Sequence, residues 1–374
     1  MRKQQIESPE AGKDPVGNGT PQRKEGKVAK AVKFIIPVVV SVGLCVVMFR
    51  DIDFGDMMRV IRHDCDFRWI GLMMVMSVMP MVFRALRWGI QLRALGIDAP
   101  VHVLVCSIFG TYAVNLVFPR LGEVWRTGYV SVREDARFST VFGSMIADRF
   151  ADLVTVGLLT LATFVMARGP IVEFVRAYPD AYQKLLNMAT SPWTWGALAV
   201  VVLAMWWVLS HSRSRLVAKS RDFLNGLWGG FAAIARMRGK FQWLGLTVCI
   251  WGCYFLQLEV AFHAFPLTRA LFDSHGLLVV LVCFVLTSIS MGIPSNGGIG
   301  PYQTTMLFGL GLFMPAATSS GALAGVSHTE FVTVGAAFGN VLIASQTLVM
   351  IALGLVTFAM IAVEKHRLSR QSES

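Results

Sequence analysis

Charge is scarce in this chain. Asp, Glu, Lys and Arg occupy 15% of its 374 positions, while 55% are hydrophobic and mean hydropathy is +0.58. Ordinary soluble domains carry about 25% charged residues, so a water-exposed globular surface is excluded for most of the length. Cysteine is also sparse and badly spaced for a framework. The six cysteines, 45, 65, 106, 249, 253 and 283, give neither disulfide pairs nor zinc-ligand spacing. Five lie in apolar runs, where a thiol acts as a small hydrophobe. Cys249 and Cys253 share a helix face, but metal ligation would need further ligands beside them. No histidine–carboxylate grouping suits a nucleophile or a metal, so neither a catalytic centre nor a cofactor is expected. The net charge of +11 does not indicate nucleic acid, because the bases sit at the edges of apolar runs, as they do in membrane proteins.

What is present is a series of long apolar runs, and runs of about 18 or more such residues read as membrane spans. Candidate spans are 34–49, 69–83, 101–118, 141–166, 192–209, 243–265, 276–293, 301–314 and 331–361. Residues 1–33 are polar and basic, lack a cleavage site, and read as a disordered cytoplasmic tail. The 210–242 connection holds seven Lys/Arg against Asp222 alone, which makes it a cytoplasmic linker between halves. Its interleaved Leu216, Phe223, Leu227, Trp228 and Phe231 leave an amphipathic interfacial helix and a solvated linker both open. Lys365, Arg367 and Arg370 place 362–374 in the cytoplasm as well, whereas the acids of 50–68 suit the outer side. With both termini and 210–242 inside, 101–118 must enter and leave on one side, and 276–314 must do the same from the other.

Both odd segments are broken by polar residues. The first reads Asn115-Leu-Val-Phe-Pro119-Arg120-Leu-Gly122-Glu123, and the second Ser290-Met-Gly-Ile-Pro294-Ser-Asn296-Gly297-Gly298-Ile-Gly300. Lipid cannot satisfy bare backbone groups, so such breaks must be shielded by protein or line a wet cavity. Paired breaks in two halves are a sequence pointer to a transport site. Asn115, Pro119 and Gly122 fall opposite Ser290, Pro294 and Gly297 at a constant offset, as an inverted repeat requires.

Charge within the apolar runs marks candidate functional groups. Asp148 and Asp152 lie on one helix face with Arg149 beside them, fit either for a buried ion-pair network or for holding an anionic headgroup. Arg120 and Arg126 flank Glu123, which can neutralise one arginine and leave positive charge for a phosphate. A helix beginning near Leu121 or Gly122 would add free N–H groups. Arg84, Arg87 and Trp88 at the end of the second span have the composition of an interface anchor, with a headgroup gate as the alternative. Asn296, Tyr302 and Gln303 offer neutral hydrogen-bonding groups beside the glycines. His328 is a candidate proton-coupling group or an interfacial histidine near Glu330. Glu259 should face the bundle interior, and Gly321/Gly325 and Gly335/Gly339 suit helix packing.

Taken in order, Arg84-xx-Arg87-Trp88, Asn115-xxx-Pro119-xx-Gly122-Glu123-xx-Arg126, Asp148-Arg149-xx-Asp152 and Pro294-xx-Gly297-Gly298-Ile299-Gly300 resemble the flippase-like membrane domain of the lysylphosphatidylglycerol synthase transmembrane family. The resemblance spans nearly all of 34–361. It implies a bundle of about eight spans with re-entrant elements, and movement of lipids or lipid-linked molecules across the membrane. Synthase activity in that family belongs to a separate cytosolic domain. With the sequence ending at Ser374, such activity is not expected here. Many members carry glutamate where this chain has Gln303, which puts proton coupling or a cationic headgroup in doubt.

The expectation is therefore an all-α polytopic protein of the cytoplasmic membrane. It has about eight transmembrane helices, two re-entrant or broken helical hairpins and an inverted repeat relating its halves, with 34–361 as the flippase-like domain. Its partner would be a membrane phospholipid or lipid-linked substrate. The rival readings are a small-solute secondary transporter, a membrane-embedded lipid enzyme and a non-transporting partner of an envelope-lipid enzyme.

Overall fold

The computed structural model describes residues 54–118, 120–179, 239–293 and 300–373, with scattered positions between 183 and 237. The expected tail 1–33, the span 34–49, nearly all of 192–209 and almost the whole 210–242 linker lie outside the described residues. Those residues form helices and no strand. In chain order the helices are α1 (Phe54–Asp64), α2 (Phe67–Met76), α3 (Val78–Ala94), α4 (Val101–Val117), α5 (Leu121–Arg133), α6 (Phe138–Met166) and α7 (Arg168–Ala177). The second half contributes α8 (Lys240–Phe262), α9 (Pro266–His275), α10 (Leu277–Ser290), α11 (Pro301–Gly311), α12 (Met314–Ser319) and α13 (His328–Glu373). The 362–374 tail thus continues the last helix to Glu373, and 240–242 belong to α8 rather than to the linker.

Four stretches are long and apolar enough to cross a membrane: Phe67–Ala94, Phe138–Met166, Lys240–Phe262 and His328–Val363. A fifth is added if α9 and α10, bent by 114° at Gly276, count as one broken span. Gly276 has φ +61 and ψ −145, a backbone state that only glycine adopts without strain. The outward side chains of α6 show what surrounds the bundle. Leu153, Leu158, Leu161 and Phe164 are each more than 60% exposed, an apolar surface in keeping with a membrane-facing helix. Within Phe67–Ala94 a local break occurs at Ser77, whose hydroxyl bonds to Met74 O at 2.6 Å. Pro80 has no N–H for the carbonyl one turn earlier, which accounts for the interruption.

The two odd segments form helical hairpins. Gly110 lies under Trp125, and Gly122 against Thr111 and Asn115, so α4 and α5 run antiparallel. At about 1.5 Å per residue, α4 is roughly 25 Å long and α5 roughly 20 Å. Both fall short of a hydrocarbon core of about 30 Å. The second pair, α10 and α11, packs closely where Gly309 meets Cys283. Residues 294–299 between them lie outside the described residues.

Two apolar cores hold these hairpins. Trp88, Leu92, Leu104, Val130, Val141 and Met145 unite α3 to α6. Phe262, Phe265, Val280, Phe313 and Phe338 unite α8 to α13. Helix α13 joins them. Gly335 and Gly339 lie against Leu307 and Gln303 of α11, and Gly354 lies against Ala113 of α4. Gly321 and Gly325 do not pack helices as expected: their φ angles of +83 and +82 place them in turns, with open space around each Cβ position.

A methyl group at Gly122 would come within 2.2 Å of the Thr111 carbonyl oxygen, whereas one at Gly157 meets nothing. Gly122→Ala is expected to force the hairpin apart and lower the thermal unfolding midpoint in detergent by several degrees. Gly157→Ala is expected to leave it unchanged or slightly raised, in keeping with the helix preference of about 0.5–1 kcal/mol for alanine.

Candidate functional site: a buried arginine–carboxylate cluster

Helix α3 places Arg84, Arg87 and Trp88 on one inward face, because residues three and four apart stack along a helix. Arg84 and Arg87 are 4% and 0% exposed. They are not the interface anchors their composition suggested; each is neutralised inside the bundle. The Arg87 Nη2 donates to Asp152 Oδ1 at 2.7 Å and forms an ion pair with Asp148, 2.8 Å from its Oδ1. Arg84 pairs with Asp152 and lies 3.9 Å from Asp148. Arg87 also donates to Thr247 Oγ1 of α8 at 3.3 Å. The i,i+4 spacing of the two aspartates lets one face of α6 serve both arginines of α3.

The hairpin joins this network through its own charges. Arg149 bridges Glu123 of α5 at 3.1 Å and Asp152 at 3.7 Å. Asn115, in the last turn of α4, donates to the other Glu123 oxygen at 3.2 Å. Its own carbonyl oxygen accepts the Gly122 N–H at 2.8 Å. That bond satisfies one of the free N–H groups of α5, which begins at Leu121 with no capping side chain from Arg120. The helix start near Leu121–Gly122 is therefore as expected, and Asn115 and Glu123 close the break rather than leaving it open.

Arg126 is the exception. It is 0% exposed, and its guanidinium carbon sits 4.3 Å from the Trp88 ring centroid. Trp88 is held in turn by a 3.0 Å bond from its indole N–H to Ser144. None of the three Arg126 nitrogens has a hydrogen-bond partner among the described residues. Four guanidinium groups (Arg84, Arg87, Arg126, Arg149) meet three carboxylates (Glu123, Asp148, Asp152), and the surplus cation is Arg126. Arg126 is thus a fully buried guanidinium stacked on a ring face, with no bonded partner among the described residues.

The second break approaches the first. Arg120 has a left-handed backbone, φ 66, and its Nη2 donates to the Gly292 carbonyl at 2.7 Å. This bond links two segments 172 residues apart. Gln303 is buried at the start of α11, accepting the Gly300 N–H at 2.6 Å and donating to Asn340 at 3.2 Å. It thus caps its helix and ties it to α13. Tyr302 is half-buried beside it. Pro119, Pro294, Asn296, Gly297 and Gly298 lie outside the described residues. His328 does not join the cluster: it is exposed where α13 begins. The histidine that does meet a carboxylate is His263, 3.1 Å from Glu259. Sequence reasoning also missed Thr247, Ser144 and the Tyr112–Tyr254 hydroxyl pair at 3.4 Å. Their signal was polar residues at helical spacing inside apolar runs. Among the described residues, no group of acidic, histidine or cysteine side chains could hold a metal ion.

With this geometry in hand, a family profile decides the relationship. The lysylphosphatidylglycerol synthase TM region matches residues 34–337. The chain belongs to that family. A curated relative, "Glycosyltransferase AglD" of Haloferax volcanii, is 25% identical over 354 residues, covering 84% of this chain and 55% of the relative. The chain therefore spans about half the length of that relative. No solved structure matches. The family match takes in α1 to α12, the first residues of α13 and every charged member of the cluster, so the cluster belongs to the shared membrane region.

Removing one partner of a buried ion pair typically costs about 3–5 kcal/mol, because the other charge is stranded. Arg87→Met is expected to lower the unfolding midpoint strongly in detergent. Arg126→Met, which removes a cation with no carboxylate partner, is expected to hold or raise it. Thermal unfolding of both variants checks the assignment of Arg126 as the surplus charge.

Proposed function

We propose that this protein moves an anionic lipid or lipid-linked molecule across the cytoplasmic membrane by alternating access around two opposed hairpins. The observation that carries the reading is Arg126, a buried guanidinium with no partner among the described residues in an otherwise neutralised cluster. A lipid phosphate supplies the missing charge, and its planar donors suit two phosphate oxygens. Arg149 stands beside it, shared between Glu123 and Asp152, and adjusts as the anion arrives. Arg120 holds the two breaks together through Gly292, so its release is the step that separates the hairpins. The Gly300–Gln303 end of α11 faces the passage from the other half. The halves act as an inverted repeat within a bundle of about eight spans, with both termini in the cytoplasm as the Lys/Arg distribution favours.

No chemical step is assigned to this chain. The relative's name, a glycosyltransferase, favours a glycosylated or sugar-linked lipid as cargo. On that reading the matched region handles the lipid, and the remainder of such a protein handles the sugar.

Vesicles containing the purified protein and a labelled anionic lipid test the reading. Transfer between leaflets is expected to exceed that of empty vesicles, and Arg126→Met is expected to slow it by roughly 10- to 100-fold. That range corresponds to the loss of a charge-assisted hydrogen bond worth about 1.5–3 kcal/mol. Transfer no faster than in empty vesicles sinks the proposal. Uptake of a small soluble anion with no lipid movement would replace it with a solute transporter.

A further inference from the structure

Exposure within the cluster is graded, and the gradation shows which edge can be reached. The Arg84, Arg87 and Asp148 side chains are at most 5% exposed, whereas Asp152, Glu123 and Arg149 rise to 13%, 18% and 33%. Two tyrosines border that open edge. Tyr112 of α4 and Tyr254 of α8 are half-buried, with their hydroxyl oxygens 3.4 Å apart. Arg84 and Asp152 lie within electrostatic reach of both phenols, and Arg149 within reach of Tyr112. The pair also joins the two halves. Tyr112 packs at the edge of the core that unites α3 to α6, and Tyr254 at the edge of the core that unites α8 to α13. Helices α4 and α8 make little other contact. One turn beyond Tyr112 stands Asn115, which holds both the Gly122 N–H and Glu123, so the phenol steadies the side of α4 that closes the break.

A tyrosine hydroxyl has one hydrogen to donate and lone pairs that accept. In a mutual pair only one hydroxyl donates, and the other keeps its hydrogen for a further acceptor. Among the described residues neither hydroxyl has another hydrogen-bond partner. The shared bond is also long, since hydroxyl–oxygen bonds usually measure about 2.5–3.0 Å. An anionic oxygen between the two phenols accepts from both and makes shorter, charge-assisted bonds. Arg149, the most exposed of the four guanidinium groups, stands on the same edge as counter-ion. We infer that Tyr112 and Tyr254 form a latch between the first hairpin and α8 that the incoming anion opens. The anion replaces the phenol–phenol bond with one bond from each hydroxyl, so the hairpin leaves α8 as the anion binds. The inference rests on the anion reading of this site and adds the contact that couples binding to movement.

Hydrogen exchange of the α4 amides reads the latch on the full-length protein, purified in the uncharged detergent dodecyl maltoside. Dodecyl phosphate is the anion, and its binding is followed by shifts of the unfolding midpoint. It is expected to speed wild-type exchange over 112–117 by about two- to tenfold, the worth of one ordinary hydrogen bond. Tyr112→Phe and Tyr254→Phe keep the rings, and each should show the faster exchange with no anion added. Each should also bind dodecyl phosphate about tenfold more weakly, because a charge-assisted bond is roughly twice as strong as the neutral one it replaces. A merely structural tie would leave that affinity unchanged, and unchanged affinity in both variants overturns the latch. Inorganic phosphate separates the sources: the same acceleration at matched concentration supports the latch with a free anion as its key. Wild-type exchange that stays constant while dodecyl phosphate binds, with Arg126→Met still abolishing that binding, overturns the latch and spares the anion reading. This comparison needs neither phenylalanine variant to fold. No binding of dodecyl phosphate by the wild type overturns both.

Discussion

Charge in an apolar bundle has to be neutralised within it, and that constraint organises this protein. Asp148 and Asp152 on α6 draw in Arg84 and Arg87 from α3, and Glu123 on α5 draws in Arg149. Three helices are fixed to one another by these pairs, and the hairpin is fixed with them. Desolvation makes each such pair expensive to build and more expensive to break. The network therefore dictates relative helix positions more than it adds net stability. Once the three carboxylates are committed, Arg126 has only the Trp88 ring to rest on, and the cluster is left with one more cation than it has anions.

The broken backbone is managed by the same groups. Asn115 accepts the Gly122 N–H and steadies Glu123, so one side chain joins the end of α4 to the start of α5. Gln303 caps α11 and reaches Asn340. Arg120 then ties the first break to the second at Gly292. The hairpins are too short to span hydrocarbon, yet they are held by α13, which packs on α11 near Gly339 and on α4 near Gly354. One long helix thus touches both hairpins, so displacement of one is felt by the other.

Much of the helical layout was legible because apolar runs in lipid have few alternatives to helix. The span expected over 141–166 is α6, Phe138–Met166, and that over 243–265 is α8, Lys240–Phe262. The span placed at 69–83 ends too early, since Arg84 reads as the edge of an apolar run; the helix goes on to Ala94 because Asp148 and Asp152 neutralise its arginines. For the same reason Arg84 and Arg87 resembled interface anchors: sequence shows the charge and hides its partner 60 or more residues away. Glu123 was expected to neutralise Arg120 or Arg126 beside it, but its partner is Arg149 of α6, 26 residues along the chain, because the packing of α5 on α6 brings the two together. The surplus character of Arg126 was not legible, because it depends on which carboxylates other arginines have taken. Gly321 and Gly325 mimic a packing motif in spacing, and only their positive φ separates them from Gly335 and Gly339.

The central claim is that Arg126 is the cation left over for a lipid phosphate. An experimental structure in nanodiscs of anionic lipid examines it most directly. The account predicts a phosphate within hydrogen-bond distance of the Arg126 guanidinium, with the Arg84, Arg87, Asp148 and Asp152 pairs intact. Arg126 bonded instead to a carboxylate or carbonyl of the protein, with no lipid phosphate beside it, would contradict the account.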